Sequence, residues 1–270
     1  MNPGGAERFL ALHHGPGVLV LPNAWDVVTA LLFEDIGFDA VATTSGGVAA
    51  SRGFSDGEHI SIDDMLDIVQ RIASAVAIPV TADMEAGFGL DPSVLARRVA
   101  DTGAVGLNFE DRAGDADQHA EKVAALKAAE PALVVNARVD VFVRQWGEEG
   151  ARAAEAVRRG RLYLEAGADC VYPIGLIDEA TIAELVVAIP GPVNVMATPS
   201  LPSIARLAEM GVRRVSIASS GLRASLGALD RAARQLREEG TYSALFDGAV
   251  RVPRLKEGPA SAPSSPASPR

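Results

Sequence analysis

Three pairs of polar residues stand two apart in this chain: Asp83 with Glu85, Asn108 with Glu110, and Asn136 with Arg138. Thr81 precedes the first pair at the same spacing. In an extended strand such neighbours point to one side, so Thr81, Asp83 and Glu85 share a face, as do the members of each other pair. If those faces meet, at least three carboxylates crowd one spot, and like charges that close would force proton uptake. A hard divalent cation with oxygen ligands relieves the conflict. Mg2+ takes one or two carboxylates directly and keeps several waters, and Mn2+ is the alternative ion. Any one of these acids alone reads equally well as a solvated loop carboxylate; their grouping is what points to a metal.

A short glycine run, Ser45-Gly46-Gly47, offers backbone N–H groups that no side chain shields, a cradle for a carboxylate or phosphonate. Arg138 is a second anion partner through its planar fork, unless it is occupied in a salt bridge to Glu110 or Asp140. Asn23, Trp25 and Asp26 stand after one expected strand, and Asn194 and Ser216 at the ends of others. Trp25 is placed to wall a pocket or to pack in the core. The three lysines, Lys122, Lys127 and Lys256, lie at no strand end, so a Schiff base is not available and a metal must act as electron sink. His119 is a candidate proton carrier on a loop or on the exposed start of a helix. His59 is similar, and His13 and His14 are far from the strand ends. Cys170 reads as a small buried hydrophobe, and Arg158-Arg159 as a surface or interface feature.

The elements that must position these groups repeat. Four expected strands follow a proline: Val18 to Leu21, Val80 to Asp83, Leu133 to Asn136 and Val193 to Met196. Four others follow Gly37, Gly103, Gly167 and Gly211, with Val41, Leu107, Val171 and Val215 four residues later. Glycine there suits a left-handed helix C-cap. Helical spacing, as in Ile62, Met65, Leu66 and Val69, separates the strands, and Asp91-Pro92 is a helix start. Strands without polar alternation are buried on both faces. The pattern predicts a (β/α)8 TIM barrel over residues 1–250, with an N-terminal helix at about 4–14; an open doubly wound sheet is the alternative. Catalytic groups of such a barrel sit at the carboxyl ends of its strands. The Pro, Ser and Ala-rich stretch 251–270 predicts a disordered tail.

Bulk properties agree. The chain has 270 residues and a formal charge of -10, which disfavours nucleic acid and anionic lipid as partners. One cysteine allows no internal disulfide, and no targeting or membrane-spanning stretch is evident, so the expected compartment is the cytoplasm.

At these residues the chain resembles the isocitrate lyase/phosphoenolpyruvate mutase superfamily over roughly residues 15 to 240. The likeness rests on Pro22-Asn23-Ala24-Trp25-Asp26, Thr44-Ser45-Gly46-Gly47, Asp56-Gly57-Glu58, the run Thr81 to Gly89, Glu110-Asp111 and Asn136-Ala137-Arg138. It implies a barrel whose eighth helix is exchanged between subunits of a homodimer or homotetramer. It implies Mg2+ on Asp83 with Asp56, Glu85 and Glu110 nearby, and a substrate held by Ser45, Gly46, Gly47 and Arg138. Trp25, Asp26 and Asn194 complete the expected substrate site, and Arg138, Glu110, Asp56 and His119 the expected catalytic set. The implied activity is cleavage of a carbon–carbon bond in a small 2-oxo or 2-hydroxy dicarboxylate through an enolate. Carbon–phosphorus chemistry of the phosphoenolpyruvate mutase or phosphonopyruvate hydrolase type is the alternative, and a non-catalytic 2-oxo acid binding paralogue a third. One departure stands out. Where the lyases carry a Lys-Cys-Gly-His type loop, the stretch after Glu110-Asp111 runs Arg112-Ala113-Gly114-Asp115-Ala116-Asp117-Gln118-His119, which argues against isocitrate cleavage by the usual residues.

Overall fold

A computed structural model describes residues 3–253 except 177, together with residue 255. Parallel strands alternate with helices along the chain. The strands are β1 (Leu19–Leu21), β2 (Asn23–Ala24), β3 (Val41–Thr43), β4 (Val80–Asp83), β5 (Gly106–Glu110), β6 (Val134–Val139), β7 (Cys170–Pro173), β8 (Asn194–Met196) and β9 (Arg214–Ser216). Pairing runs β2-β3-β4-β5-β6-β7 in one set and β1-β9-β8 in the other. β1 and β2 are two pieces of one strand broken only at Pro22, whose carbonyl still accepts the Ala42 N–H, and a parallel bridge from Val171 to Val193 links β7 to β8. The two sets therefore join at both ends into the eight-stranded ring that the repeat predicts, and the open sheet is set aside.

The helix ends explain the periodicity. Gly37, Gly103, Gly167 and Gly211 all have φ between 90° and 103°, a left-handed conformation that a side chain would strain. Each turns the chain from a helix into the next strand. Helix α4 (Ile62–Ala75) buries Met65, Leu66, Ile68, Val69 and Ile72, the apolar stripe that its sequence spaces at helical period. Strands start one residue later than their prolines suggest, at Leu19, Val134 and Asn194.

Helix α1 (Pro3–Leu12) lies at the amino ends of the strands. Its Ala6 and Phe9 pack on Leu19, Ala40, Val105 and Val134, each at or just before a strand start. His13, far from the site as expected, is fully buried there. Its Nε2 lies 3.4 Å from Nη1 of Arg214, a guanidinium without solvent access inside the barrel. The tail expected over 251–270 lies outside the described residues but for 251–253 and 255. Among the described residues no helix is long and apolar enough to cross a membrane.

Candidate functional site

At the carboxyl ends of the strands opens a polar cavity of about 320 Å3. Asp83, Ser45, Gly46, Asp56, Asn108 and Arg138 line it, together with Asn23, Tyr172, Ser216, Ser219 and Arg223. Asp83 is the last residue of β4, with its N–H donated to Thr43 Oγ1 at 2.9 Å. Its Oδ2 accepts from Ser45 twice, from the backbone N–H at 3.1 Å and from the hydroxyl at 2.9 Å. The same hydroxyl lies 3.2 Å from Oδ1 of Asp56. One proton is thus shared between two carboxylates, which leaves most of their charge facing the cavity.

Ser45-Gly46-Gly47 is not a loose loop but the first turn of helix α3 (Ser45–Ser51). Thr44 caps it, accepting the Gly47 N–H, so only part of the expected cradle is free. A Cβ on Gly46 would stand 2.9 Å from Oδ2 of Asp56 and 3.1 Å from Oγ of Ser219. A side chain there would push the Asp56 carboxylate and the Ser219 hydroxyl from their places. Gly47 is buried against Thr44 and Trp25, behind the cavity rather than on it.

Glu85 departs from the strand rule. β4 ends at Asp83 and Glu85 has φ of 48°, so its side chain turns out of the alternation and is buried with Oε1 unpartnered. Burial, helped by the charges of Asp56, Asp83 and Glu110, pushes its carboxyl up to about 7. Glu110 is also buried and raised chiefly by burial, but it is partnered. Arg138 Nη1 stands 2.6 Å and Arg112 Nε 3.0 Å from it. The expectation of three carboxylates on one spot is corrected accordingly. Among the described residues no three His, Cys, Asp or Glu side chains are grouped to hold an ion directly. Asp83 and Asp56 line the cavity, whereas Glu85 and Glu110 are not part of its lining.

Arg138 makes the salt bridges that were the alternative reading of its role, and it also borders the cavity. It grips Asp140 with Nε and Nη2, at 2.7 and 3.2 Å, and Glu110 with Nη1, and it still lines the cavity. Asp140 is fully buried, so the guanidinium is locked in place.

Other expected residues have structural work. Asp26 caps helix α2 (Val27–Ile36), accepting the Thr29 N–H at 2.7 Å within a capping box, and does not line the cavity. Trp25 packs against Gly47 and Gly221. Asn194 begins β8 and is fully buried, its Nδ2 3.3 Å from Ser216 Oγ, and it does not line the cavity. His119, expected on a solvent-facing helix, is buried instead in α6 (Ala116–Ala129), stacked on Phe109 and edge-on to Tyr163. Burial lowers its pKa to about 4. Arg159, expected on the surface, is buried against Asp111 Oδ2 at 2.8 Å.

Sequence reasoning missed Tyr172, Ser219, Arg223 and the Arg112–Glu58 ion pair at 2.8 Å. Glu58 also accepts the Ala86 and Phe88 N–H groups. It therefore fastens the 52–61 loop to the turn after β4, and its place three residues past Phe54-Ser55 gave no signal of that.

A sequence profile described as phosphoenolpyruvate phosphomutase matches residues 9–237. The chain belongs to this family. It thereby lies within the isocitrate lyase/phosphoenolpyruvate mutase superfamily of enzymes, as its motifs suggest. An uncharacterized protein of Mycobacterium tuberculosis is 37% identical over 234 residues, covering 85% of this chain and 89% of that one. The 2-methylisocitrate lyase of Bacillus subtilis is 29% identical over 255 residues, covering 87% and 83%. Among solved structures, a phosphonopyruvate hydrolase in complex with oxalate and Mg2+ aligns with a TM-score of 0.80 at 26% identity, covering 93% of each chain.

Proposed function

We propose that this member of the family is an Mg2+-dependent lyase or hydrolase that cleaves a carbon–carbon bond in a small 2-oxo or 2-hydroxy dicarboxylate by way of an enolate. The observation that carries this reading is the Ser45 hydroxyl set between Asp83 and Asp56 in the cavity wall, together with the buried Glu85 carboxyl, whose Oε1 has no hydrogen-bond partner. That arrangement fits a hydrated divalent ion, which needs only one or two direct carboxylates. Asp83 would hold it, with Asp56, Glu85 and Glu110 accepting from its waters. Bound Mg2+ supplies the positive charge that balances these acids and polarises the oxo and carboxylate oxygens of a substrate.

The chain's own groups do the rest. Ser45 and Gly46 border the place where a carboxylate would sit. Arg138, fixed by Asp140, presents its guanidinium edge to negative charge that develops when the bond breaks, where fixed donors contribute most. Subunits of a homodimer or homotetramer, exchanging the helix after β9, are part of the same proposal.

The test is Asp83→Asn. Turnover of a panel of 2-oxo and 2-hydroxy diacids and Mg2+ affinity by calorimetry should be lost together. Undiminished turnover would contradict the scheme, and Mg2+ and oxalate binding without any turnover by the unsubstituted protein would favour the non-catalytic paralogue. The likeness to phosphonopyruvate hydrolase supports a second reading. Phosphorus NMR of the protein with phosphonopyruvate and Mg2+ separates the two. A new phosphate or phosphoenolpyruvate resonance favours carbon–phosphorus chemistry, and an unchanged spectrum favours the first.

A further inference from the structure

Cleavage by way of an enolate ends with a proton placed on carbon, and the cavity holds few groups able to give one. Its ionisable lining residues are Asp56, Asp83, Arg138, Arg223 and Tyr172. The two carboxylates are assigned to the ion, and a guanidinium does not part with its proton. Serine hydroxyls line the cavity too, but an alcohol is a weaker acid than a phenol, and its alkoxide forms only with a base beside it. His119 and Cys170 are both buried and lie outside the lining. Among the described residues of the wall, the phenol of Tyr172 is the acid that remains.

Strand register explains its place. Between β6 and β7, Asn136 pairs with Cys170 and Arg138 with Tyr172. Side chains two apart in a strand share a face, so Cys170 stands at the level of buried Asn136, and Tyr172 one step nearer the carboxyl ends, at the level of Arg138. The ring is buried, yet it borders the cavity. Its hydroxyl is hydrogen-bonded to Ser216, and the Asn194 amide, 3.3 and 3.4 Å from Ser216 Oγ, anchors that serine. A serine hydroxyl that donates to the phenol oxygen leaves the phenol's own proton for the cavity. Burial pushes the phenol up to about 12, against the pull of the Arg138 charge and the Ser216 bond. The ring therefore carries its proton at neutral pH, and a phenolate, once formed, has a cation and a donor beside it.

We propose that Tyr172 is a catalytic residue, the general acid that delivers its phenol proton to the carbon released when the carbon–carbon bond breaks. The inference rests on the function proposed above and names the proton carrier of that same site. The electron pair of the broken bond forms the new C–H bond, and the phenol O–H breaks, leaving its pair on oxygen. The phenolate is restored by the proton that the substrate hydroxyl loses as it becomes a carbonyl, or, in a hydrolysis, by one from the attacking water. No oxidant or reductant takes part. A phenol suits the task because an enolate carbon is a far stronger base than a phenolate, so the transfer runs downhill.

The experiment is steady-state kinetics of Tyr172→Phe on whichever diacid of the panel the unsubstituted protein cleaves, beside calorimetry of Mg2+ and of oxalate in Mg2+. Loss of the phenol proton should lower kcat by about 100-fold or more, while KM and both affinities change less than about twofold. A kcat within about threefold of the unsubstituted protein would overturn the assignment of Tyr172. So would a fall in oxalate affinity that matches the fall in kcat, since the ring would then be part of the binding wall. Either result leaves the Asp83 site standing. Should circular dichroism show that Tyr172→Phe does not fold, Ser216→Ala takes its place. Without the serine to donate to the phenolate, kcat should fall about tenfold with oxalate affinity kept, and an unchanged kcat counts against the acid. A panel that the unsubstituted protein does not cleave would instead remove the function proposed above, and this inference with it.

Discussion

His119 sits inside the fold with its Nε2 unpartnered, and that has a pH consequence. Its pKa falls from 6.5 to about 4 on folding, chiefly through burial. Above 6.5 the ring is neutral in both states and the contribution to stability is whole. As pH falls from 6.5 through about 4, the unfolded chain takes up a proton that the folded one refuses, and stability is lost across that window. The loss is on the order of 3 kcal/mol. Burial of His13, lowered to about 3, acts in the same direction. Chemical denaturation at about pH 7 and about pH 4.5 should show a smaller difference for His119→Leu than for the unsubstituted protein. An equal difference would mean that the ring is protonated inside the fold. At this scale the acids were legible in sequence because two-residue spacing at a strand end has one geometric meaning. Glu85 escaped it because its left-handed backbone ends the alternation, and Arg138 because one guanidinium can serve two carboxylates and a cavity together. His119 misled because a histidine in a polar-looking run carries no mark of the aromatic pair, Phe109 and Tyr163, that encloses it.

Helix starts organise the next scale. Asp26, Asp91, Asp115 and Asp178 all cap helices with a side-chain oxygen, so an Asp beyond a strand has two trades, capping and ligation, that a single sequence does not separate. Asp26→Ala should therefore cost about 1 kcal/mol of stability by loss of the cap, while oxalate affinity and turnover stay as they were. Urea denaturation beside calorimetry checks this, and a large drop in oxalate affinity would return Asp26 to the site. Glycine caps and post-strand polar clusters were readable because both are local. Arg223 was not, since it belongs to a helix and reaches the cavity only because Asn23, distant in sequence, pins the turn before it.

For the whole molecule, the longest helix, Ser220–Glu239, buries only Ala232 along its length. Leu226, Leu229 and Leu236 remain 54%, 60% and 49% exposed on it, an apolar row suited to cover by another surface. Under the proposed exchange of this helix, a second copy of the chain would cover them. Light scattering should give the mass of two or four subunits, and Leu226→Glu with Leu229→Glu should give a monomer; a monomeric unsubstituted protein would end that reading. The ring of strands was legible as a whole because its repeat is written eight times, whereas surfaces between copies leave no periodic trace.

The helix Pro3–Leu12 has a kinetic consequence as well. Phe9 packs against the strand starts, at the end of the barrel opposite the cavity. Under the proposed cleavage two fragments form where one molecule entered, and both would leave from the carboxyl ends of the strands. Where such fragments leave in order, the one that leaves last competes directly with the next substrate, and product-inhibition kinetics identifies it.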